Sequence, residues 1–140
     1  MKPNKPTIIA VAGPSASGKT LFAQTIHDEL IDELGEGGIS IIYEDAYYRN
    51  QSHLTMTERE KTNYDHPDSF EHELLADHLE KLTNHETIHS PVYCYKTHTR
   101  TGDTKEFQPT KIVLIEGILL LANKKLREKF DIKVYMDTPL

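Results

Sequence analysis

The eight residues at positions 13–20 constrain the fold more than any other stretch of the chain. They match the pattern G-x-x-x-x-G-K-[ST] at every fixed position and read, in order, Gly13, Pro14, Ser15, Ala16, Ser17, Gly18, Lys19 and Thr20. An apolar run precedes them and a helix-forming stretch follows. Between a strand and a helix, such a loop surrounds phosphate oxygens with backbone N–H groups and the positive helix start. We therefore predict a nucleotide-binding loop, with Lys19 reaching the β- and γ-phosphates and the Thr20 hydroxyl ligating Mg²⁺.

Composition narrows the class of protein. At 140 residues the chain has the length of one domain, with 37% hydrophobic and 27% charged residues. Its formal net charge of −6 argues against a nucleic-acid-binding surface. Cys94 is the single cysteine, so no disulfide can form within the chain. No apolar run approaches the length of a membrane span. We expect a cytoplasmic protein that binds neither nucleic acid nor membrane.

The first three predicted elements bring a second acidic residue to the phosphate loop. Apolar spacing predicts a strand at 7–12, a helix at 19–34 that ends at Gly35 or Gly37, and a strand at 39–43. A strand–helix–strand unit of this length makes the two strands parallel, with their carboxyl ends at one edge of the sheet. Asp45 follows the second strand directly. We therefore expect Asp45 on the same edge as Lys19.

The rest of the chain continues this alternation with one interruption. We predict a capped helical turn at 55–60, a helix at 71–82, a hairpin or two short strands within 88–109 with a turn at 101–103, a strand at 111–117, a helix at 118–130, a strand at 131–137, and a helix start at Thr138. The predicted fold class is α/β. It consists of a parallel sheet flanked by helices, of the phosphate-loop NTPase type, with a small β-hairpin insertion at about 88–109.

Acidic and aromatic residues then indicate a chemistry. Glu116 ends an apolar strand, where phosphate-loop enzymes place an acid that helps to hold Mg²⁺. The guanine-selecting motif N-K-x-D does not occur. A kinase for a small hydroxyl compound needs a base near the γ-phosphate, and Asp45 is the candidate. A pocket for that compound could be formed by Tyr64, Asp65, Tyr93, Tyr95 and His98, which suit a nucleoside because tyrosine rings stack on flat bases.

Five segments together resemble the uridine kinase (uridine–cytidine kinase) family. They are residues 13–20, 45–49 (DAYYR), 63–70 (NYDHPDSF), 91–100 (PVYCYKTHTR) and 115–119 (IEGIL), and they occur in order and at fitting distances. The segments around Tyr64 and Tyr93 are more specific than the phosphate loop. The resemblance implies transfer of the γ-phosphoryl group of ATP or GTP to the 5′-hydroxyl of uridine or cytidine, a reaction of pyrimidine salvage. The family is typically tetrameric, which is consistent with a homo-oligomer.

The resemblance also implies roles for individual residues. Asp45 matches the general base, with Tyr48 beside it, and Asp65 matches the acid that holds the ribose hydroxyls, with Tyr64 next to it. A separate set contacts the base of the nucleoside: Tyr93 and His98 match residues that recognise the pyrimidine edge, and Tyr95 matches a ring-contacting aromatic. Thr20 and Glu116 match the Mg²⁺ site.

Family members continue past the position that matches Leu140, with lid arginines and a further strand. We therefore expect residues 1–140 to form one kinase domain that is incomplete at its carboxyl end and weakly active or inactive. Two alternatives stay open: a kinase for another small metabolite, similar to phosphoribulokinase or pantothenate kinase, and a nucleotide-binding module without catalysis. A nucleic-acid-binding protein conflicts with the acidic charge.

Overall fold

The computed structural model of the chain describes residues 5–14, 18–35 and 37–137. The strands of the described part are β1 (Thr7–Ala12), β2 (Ile39–Tyr43), β3 (Ile88–Cys94), β4 (Thr99–Phe107), β5 (Ile112–Gly117) and β6 (Ile132–Tyr135). Its α-helices are α1 (Lys19–Leu34), α2 (Met56–Glu60), α3 (His72–Thr83) and α4 (Lys124–Arg127), and short 3-10 helices cover Glu44–Tyr47 and Pro67–Ser69. None of these helices is long and apolar enough to cross a membrane.

Four strands form a parallel sheet in the order β2-β5-β1-β6, and β3 and β4 form a separate antiparallel hairpin. In the sheet, Ala12 at the end of β1 lies beside Gly117 at the end of β5, and Tyr43 at the end of β2 lies beside Glu116. The carboxyl ends of three strands therefore meet at one edge, which confirms the predicted α/β fold with a hairpin insertion.

The core lies between the sheet and α3. Branched apolar side chains from the sheet are fully buried there, as expected for parallel strands covered on both faces. The fully buried aliphatic side chains of this core come from the sheet, from α3 and from the segment after β5: Ile8, Ile42, Val113, Ile115, Leu75, Leu79, Leu82, Leu120 and Leu126. Burial of this apolar surface is the main favourable term for the fold.

The apolar side chains of α1 do not all face the sheet. Leu21 is 73% exposed and Phe22 is 36% exposed, whereas Ala23 is buried. At 100° per residue, Leu21 lies about 160° around the helix from Ala23. Lys19 shares the face of Ala23, one turn earlier, and is buried with it. The bounds predicted for α1 are nevertheless confirmed, including its end at Gly35.

The turn predicted at 101–103 is wrong. The hairpin turns at 95–98, where His98 adopts a left-handed conformation with φ of 53°, and Cys94 pairs with Thr99 across it. Gly102, with φ of 93°, lies within β4 opposite an irregularity between Pro91 and Tyr93. The glycine therefore allows a β-bulge rather than a chain reversal.

The helix predicted at 118–130 is also wrong, because only Lys124–Arg127 is α-helical. Residues 118–122 form bends and a turn instead, and the backbone N–H of Leu119 donates to the Glu44 carboxylate, which ties this segment to the end of β2. Asn123 then caps the short helix by accepting from the N–H of Leu126. The final strand is shorter than predicted, covering Ile132–Tyr135. The helix start predicted at Thr138 and loop residues 15–17 lie outside the described residues.

Leu79 tests the importance of the core beneath the sheet. It is fully buried on α3, so we expect Leu79→Ala to lower the free energy of unfolding by about 2–5 kcal/mol in urea titrations. Asp77→Ala on the same helix is the matched control, because Asp77 is exposed and forms a surface pair with Lys81. The control should change stability by about 0.5 kcal/mol or less. Equal effects of the two substitutions would contradict this view of the core.

Candidate active site

The phosphate loop and the end of β5 face each other at the carboxyl edge of the sheet. The Gly13 N–H donates to the Gly117 carbonyl over 3.3 Å. Gly18 precedes α1 in a left-handed conformation with φ of 90°, which a side chain would disfavour. Lys19 then begins the helix, and its Nζ lies 3.5 Å from Glu116 Oε1. A buried cation and a buried carboxylate therefore meet where the motif predicts phosphates and Mg²⁺.

Two carboxylates, those of Glu116 and Asp45, face one lysine, Lys19, at this edge of the sheet. Burial raises the pKa of Glu116, and the nearby negative charge of Asp45 raises it further, while Lys19 opposes the shift. Thr20 also contacts the Glu116 side chain. An additional cation at this position would offset the repulsion between the two carboxylates.

A buried hydrogen bond between two side chains fixes the loop that carries Asp45. The preceding residue, Glu44, is fully buried, and its Oε2 accepts a 2.7 Å hydrogen bond from His72 Nε2. Its Oε1 accepts from the backbone N–H of Leu119 over 3.0 Å. Gly117 packs directly on this side chain, since a Cβ there would lie 2.4 Å from the Glu44 Cβ. Asp45 is thereby held at the edge beside Glu116.

Tyrosines from the hairpin form the opposite wall. Tyr95 Oη donates to Asp45 Oδ2 over 3.1 Å, and the Tyr93 ring meets the Tyr95 ring edge to face at 5.3 Å. Burial raises the pKa of both tyrosines, so both hydroxyls stay protonated. The Tyr93 hydroxyl is buried beside Tyr64 and makes no hydrogen bond of regular geometry within the described residues. It is the kind of group that a bound ligand would satisfy.

These groups line one cleft of about 370 Å³. The predicted site residues that it brings together are Thr20, Asp45, Tyr93, Tyr95 and Glu116. Groups predicted to hold the nucleotide therefore share one cavity with groups predicted to hold the acceptor.

Three further predicted residues stack behind the cleft. Tyr48 contacts Tyr93 with ring centroids 5.0 Å apart, and it meets Tyr64 edge to face at 5.1 Å. Tyr64 in turn stacks on His98 at 5.8 Å. On its other side Tyr48 stacks on Phe70 at 4.3 Å. Burial raises the pKa of Tyr48, and the negative charge of Asp45 adds to the shift.

Asp65 lies apart from this cleft. It is exposed and lines a second cavity of about 410 Å³ together with Pro14, Ile118, Leu119 and Tyr135. The ribose-binding role of Asp65 and the base-reading role of His98 therefore stay predictions.

Several residues that support the site are not among the predicted site residues. Glu44 and His72 are 28 positions apart in the sequence. The one sequence signal that could have indicated their role is that Glu44 directly precedes Asp45. Arg100 donates from Nε to the Tyr48 carbonyl over 3.0 Å and pairs with Glu71 at 2.7 Å. Gln51 bonds to both Tyr64 and His98.

The oxygen groups at the edge fit Mg²⁺. The Thr20 hydroxyl and the carboxylates of Glu116 and Asp45 are hard ligands, which this ion prefers. Across the described ranges no group of three or more His, Cys, Asp or Glu residues forms a protein-only metal site.

The sequence is similar to those of known kinases. A family model described as the phosphoribulokinase/uridine kinase family matches residues 8–140. The chain is 53% identical over 133 residues to a uridine kinase of Aeromonas salmonicida and 55% identical to one of Shewanella amazonensis. Each alignment covers 95% of this chain but only 62% and 63% of those relatives, respectively.

Solved structures share the fold. A possible uridine kinase from Bacillus stearothermophilus superposes with a TM-score of 0.77 at 21% identity, covering 99% of this chain and 74% of that one. A D-glycerate 3-kinase from Cryptococcus neoformans gives a TM-score of 0.60 at 21% identity, covering 83% and 44% of the two chains. The family suggested by the five sequence segments is thus confirmed, and the chain belongs to the phosphoribulokinase/uridine kinase family.

Proposed function

We propose that this chain transfers the γ-phosphoryl group of ATP to the 5′-hydroxyl of uridine or cytidine. The observation that carries the proposal is the single cleft in which Thr20 and Glu116 face Asp45, Tyr93 and Tyr95. Phosphoryl transfer needs little covalent help from the protein, but it needs the donor and the acceptor to be positioned in line. The uridine kinases similar to this chain support the choice of acceptor.

Asp45 acts as the general base in this proposal. Its carboxylate accepts the proton of the 5′-hydroxyl as the oxygen forms a bond to the γ-phosphorus, and the bond from that phosphorus to the oxygen bridging to the β-phosphate breaks to release ADP. The hydrogen bond from Tyr95 orients one carboxylate oxygen of Asp45. The unpartnered Tyr93 hydroxyl offers a hydrogen bond to the nucleoside.

Thr20 and Glu116 would hold Mg²⁺, which when bound neutralises charge on the β- and γ-phosphates. Lys19 supplies a further positive charge on the same side of the cleft. The Thr20 hydroxyl and the Glu116 carboxylate thereby keep the nucleotide at the sheet edge, opposite Asp45.

The resemblance to uridine kinases supports four further parts of the proposal. They are GTP as an alternative donor, a place in pyrimidine salvage, a cytoplasmic location and a homo-oligomer. Assays of uridine phosphorylation with ATP or GTP as the donor test the first, and sedimentation tests the last.

Asp45→Asn tests the base. The amide keeps the size of the side chain but cannot accept the proton, so kcat should fall about 10²- to 10⁴-fold. The KM for ATP should change little. The measurement is a coupled assay of ADP release with uridine, ATP and Mg²⁺, and Asp103→Asn on the exposed face of the hairpin is the matched control.

Unchanged turnover in Asp45→Asn would remove this residue from the base role. If the unsubstituted chain binds ATP and uridine in calorimetry but transfers no phosphoryl group, the proposed activity is wrong for this chain. A nucleotide-binding module without catalysis is then the better interpretation.

Glu116→Gln tests the ion-binding side of the cleft. The neutral amide removes one charged ligand, so the Mg²⁺ concentration that gives half-maximal thermal stabilisation by ATP should rise about tenfold or more. Thermal denaturation at fixed ATP across a Mg²⁺ series measures this value. Glu29→Gln, at an exposed position of α1, should leave it unchanged. The same Mg²⁺ requirement in both variants would exclude Glu116 from the ion site.

A further inference from the structure

Gln51 is a buried polar residue outside the cleft whose side chain is fully committed to hydrogen bonds. It is 7% exposed. Its Nε2 donates to Tyr64 Oη over 2.9 Å and to the His98 carbonyl over 2.9 Å, while its Oε1 accepts from the Thr62 hydroxyl. Both amide hydrogens and the amide oxygen therefore have partners, and these lie on two different segments of the chain.

The backbone of Gln51 is anchored as firmly as its side chain. Its N–H donates to Thr99 Oγ1 over 2.7 Å, and its carbonyl accepts from Arg59 Nε over 2.9 Å. The same guanidinium donates from Nη1 to the Thr97 carbonyl over 2.8 Å. Gln51 and Arg59 thus hold the turn of the hairpin from the outside.

The hairpin turn needs such support because of the backbone of His98. This residue adopts φ of 53°, a left-handed conformation that residues with a Cβ rarely occupy. Such a conformation persists only where surrounding contacts determine it. The bond from Gln51 to the carbonyl of His98 is one of these contacts, so Gln51 helps to set the direction of the imidazole.

Aromatic contacts connect Gln51 to the cleft. Gln51 donates a hydrogen bond to the hydroxyl of Tyr64. The Tyr64 ring stacks on His98 and contacts Tyr48 edge to face. Tyr48 contacts Tyr93, which lines the cleft. A displacement of the Gln51 side chain would therefore reach the wall against which an acceptor base would lie.

The chemistry requires glutamine rather than glutamate. The Tyr64 hydroxyl gives its own hydrogen to the Arg59 carbonyl over 2.8 Å, so toward Gln51 it can only accept. The His98 carbonyl is also an acceptor. An ionised glutamate at position 51 has no hydrogen to donate to either group. It would place a negative charge against two oxygen atoms in a buried site.

We propose that Gln51 is a positioning residue for acceptor recognition, which sets the orientations of Tyr64 and His98 without touching the acceptor. This inference rests on the proposed nucleoside kinase activity. It predicts that the carboxamide determines how well a pyrimidine nucleoside is bound and distinguished from a purine nucleoside. It leaves the binding of ATP and the step at Asp45 unaffected.

The test compares Gln51→Glu with Gln108→Glu, a matched control at an exposed position. For Gln51→Glu we expect the KM for uridine to rise about tenfold, the loss of roughly one good polar contact. The ratio of kcat/KM for uridine over adenosine should fall, while kcat and the KM for ATP stay within about twofold of the unsubstituted values. Gln108→Glu should leave all of these constants unchanged.

A second variant and a spectroscopic signal keep the test decisive if Gln51→Glu folds poorly. Thr62→Val removes the donor that orients the Gln51 carboxamide, and it should change the same constants in the same direction by a smaller factor. In proton NMR, loss of the stack on Tyr64 should move the His98 ring signals toward their unstructured values in both variants.

The outcomes separate this inference from the activity on which it rests. If the unsubstituted chain neither binds nor phosphorylates uridine, the proposed function fails and the role of Gln51 fails with it. If the unsubstituted chain is active and the variants keep its KM for uridine, only the role of Gln51 is overturned. Equal losses in ATP and uridine binding, together with a lower melting temperature, would show a merely structural role and would also overturn it.

Discussion

The geometry of the cleft depends on one buried carboxylate, that of Glu44. A charge taken out of water is costly unless it is paired and hydrogen-bonded. His72 and the N–H of Leu119 supply these bonds, and both are far from Glu44 in sequence. The carboxylate therefore joins the end of β2, the start of α3 and the segment after β5. Because Asp45 is the next residue, its position follows from this pairing.

The same pairing closes a ring of contacts around the acceptor side of the cleft. His72 stacks on Phe70 with ring centroids 5.3 Å apart, and Phe70 stacks on Tyr48. From Tyr48 the contacts pass through the two tyrosines of the hairpin to Asp45, which the peptide bond joins back to Glu44. Asp45, the proposed general base, and the aromatic wall are thus parts of one packed unit. Such an arrangement would preorganise the site for the proposed phosphoryl transfer.

Local sequence patterns predicted the first strand–helix–strand unit of the chain well. The bounds of β1, α1 and β2 follow from apolar runs and the glycines after α1, and the parallel unit that they form placed Asp45 at the edge near Lys19. The acid that ends the apolar run of β5 likewise indicated Glu116. Long-range bonds decided the parts that local signals missed. The bond from the Leu119 N–H to Glu44 ties the segment after β5 to the end of β2, and contacts from Gln51 and Arg59 hold the hairpin turn at His98 instead of Gly102. Neither pairing is visible in a single sequence.

A crystal structure of the chain with uridine, Mg²⁺ and a non-hydrolysable ATP analogue would test directly whether Asp45 is the base of a nucleoside kinase. We expect the 5′-oxygen of uridine about 3 Å from an Asp45 carboxylate oxygen, as a general base requires. The base of the nucleoside should lie against Tyr93, within hydrogen-bond reach of its hydroxyl. A nucleoside bound outside this cleft, or with its 5′-hydroxyl directed away from Asp45, would exclude this role of Asp45.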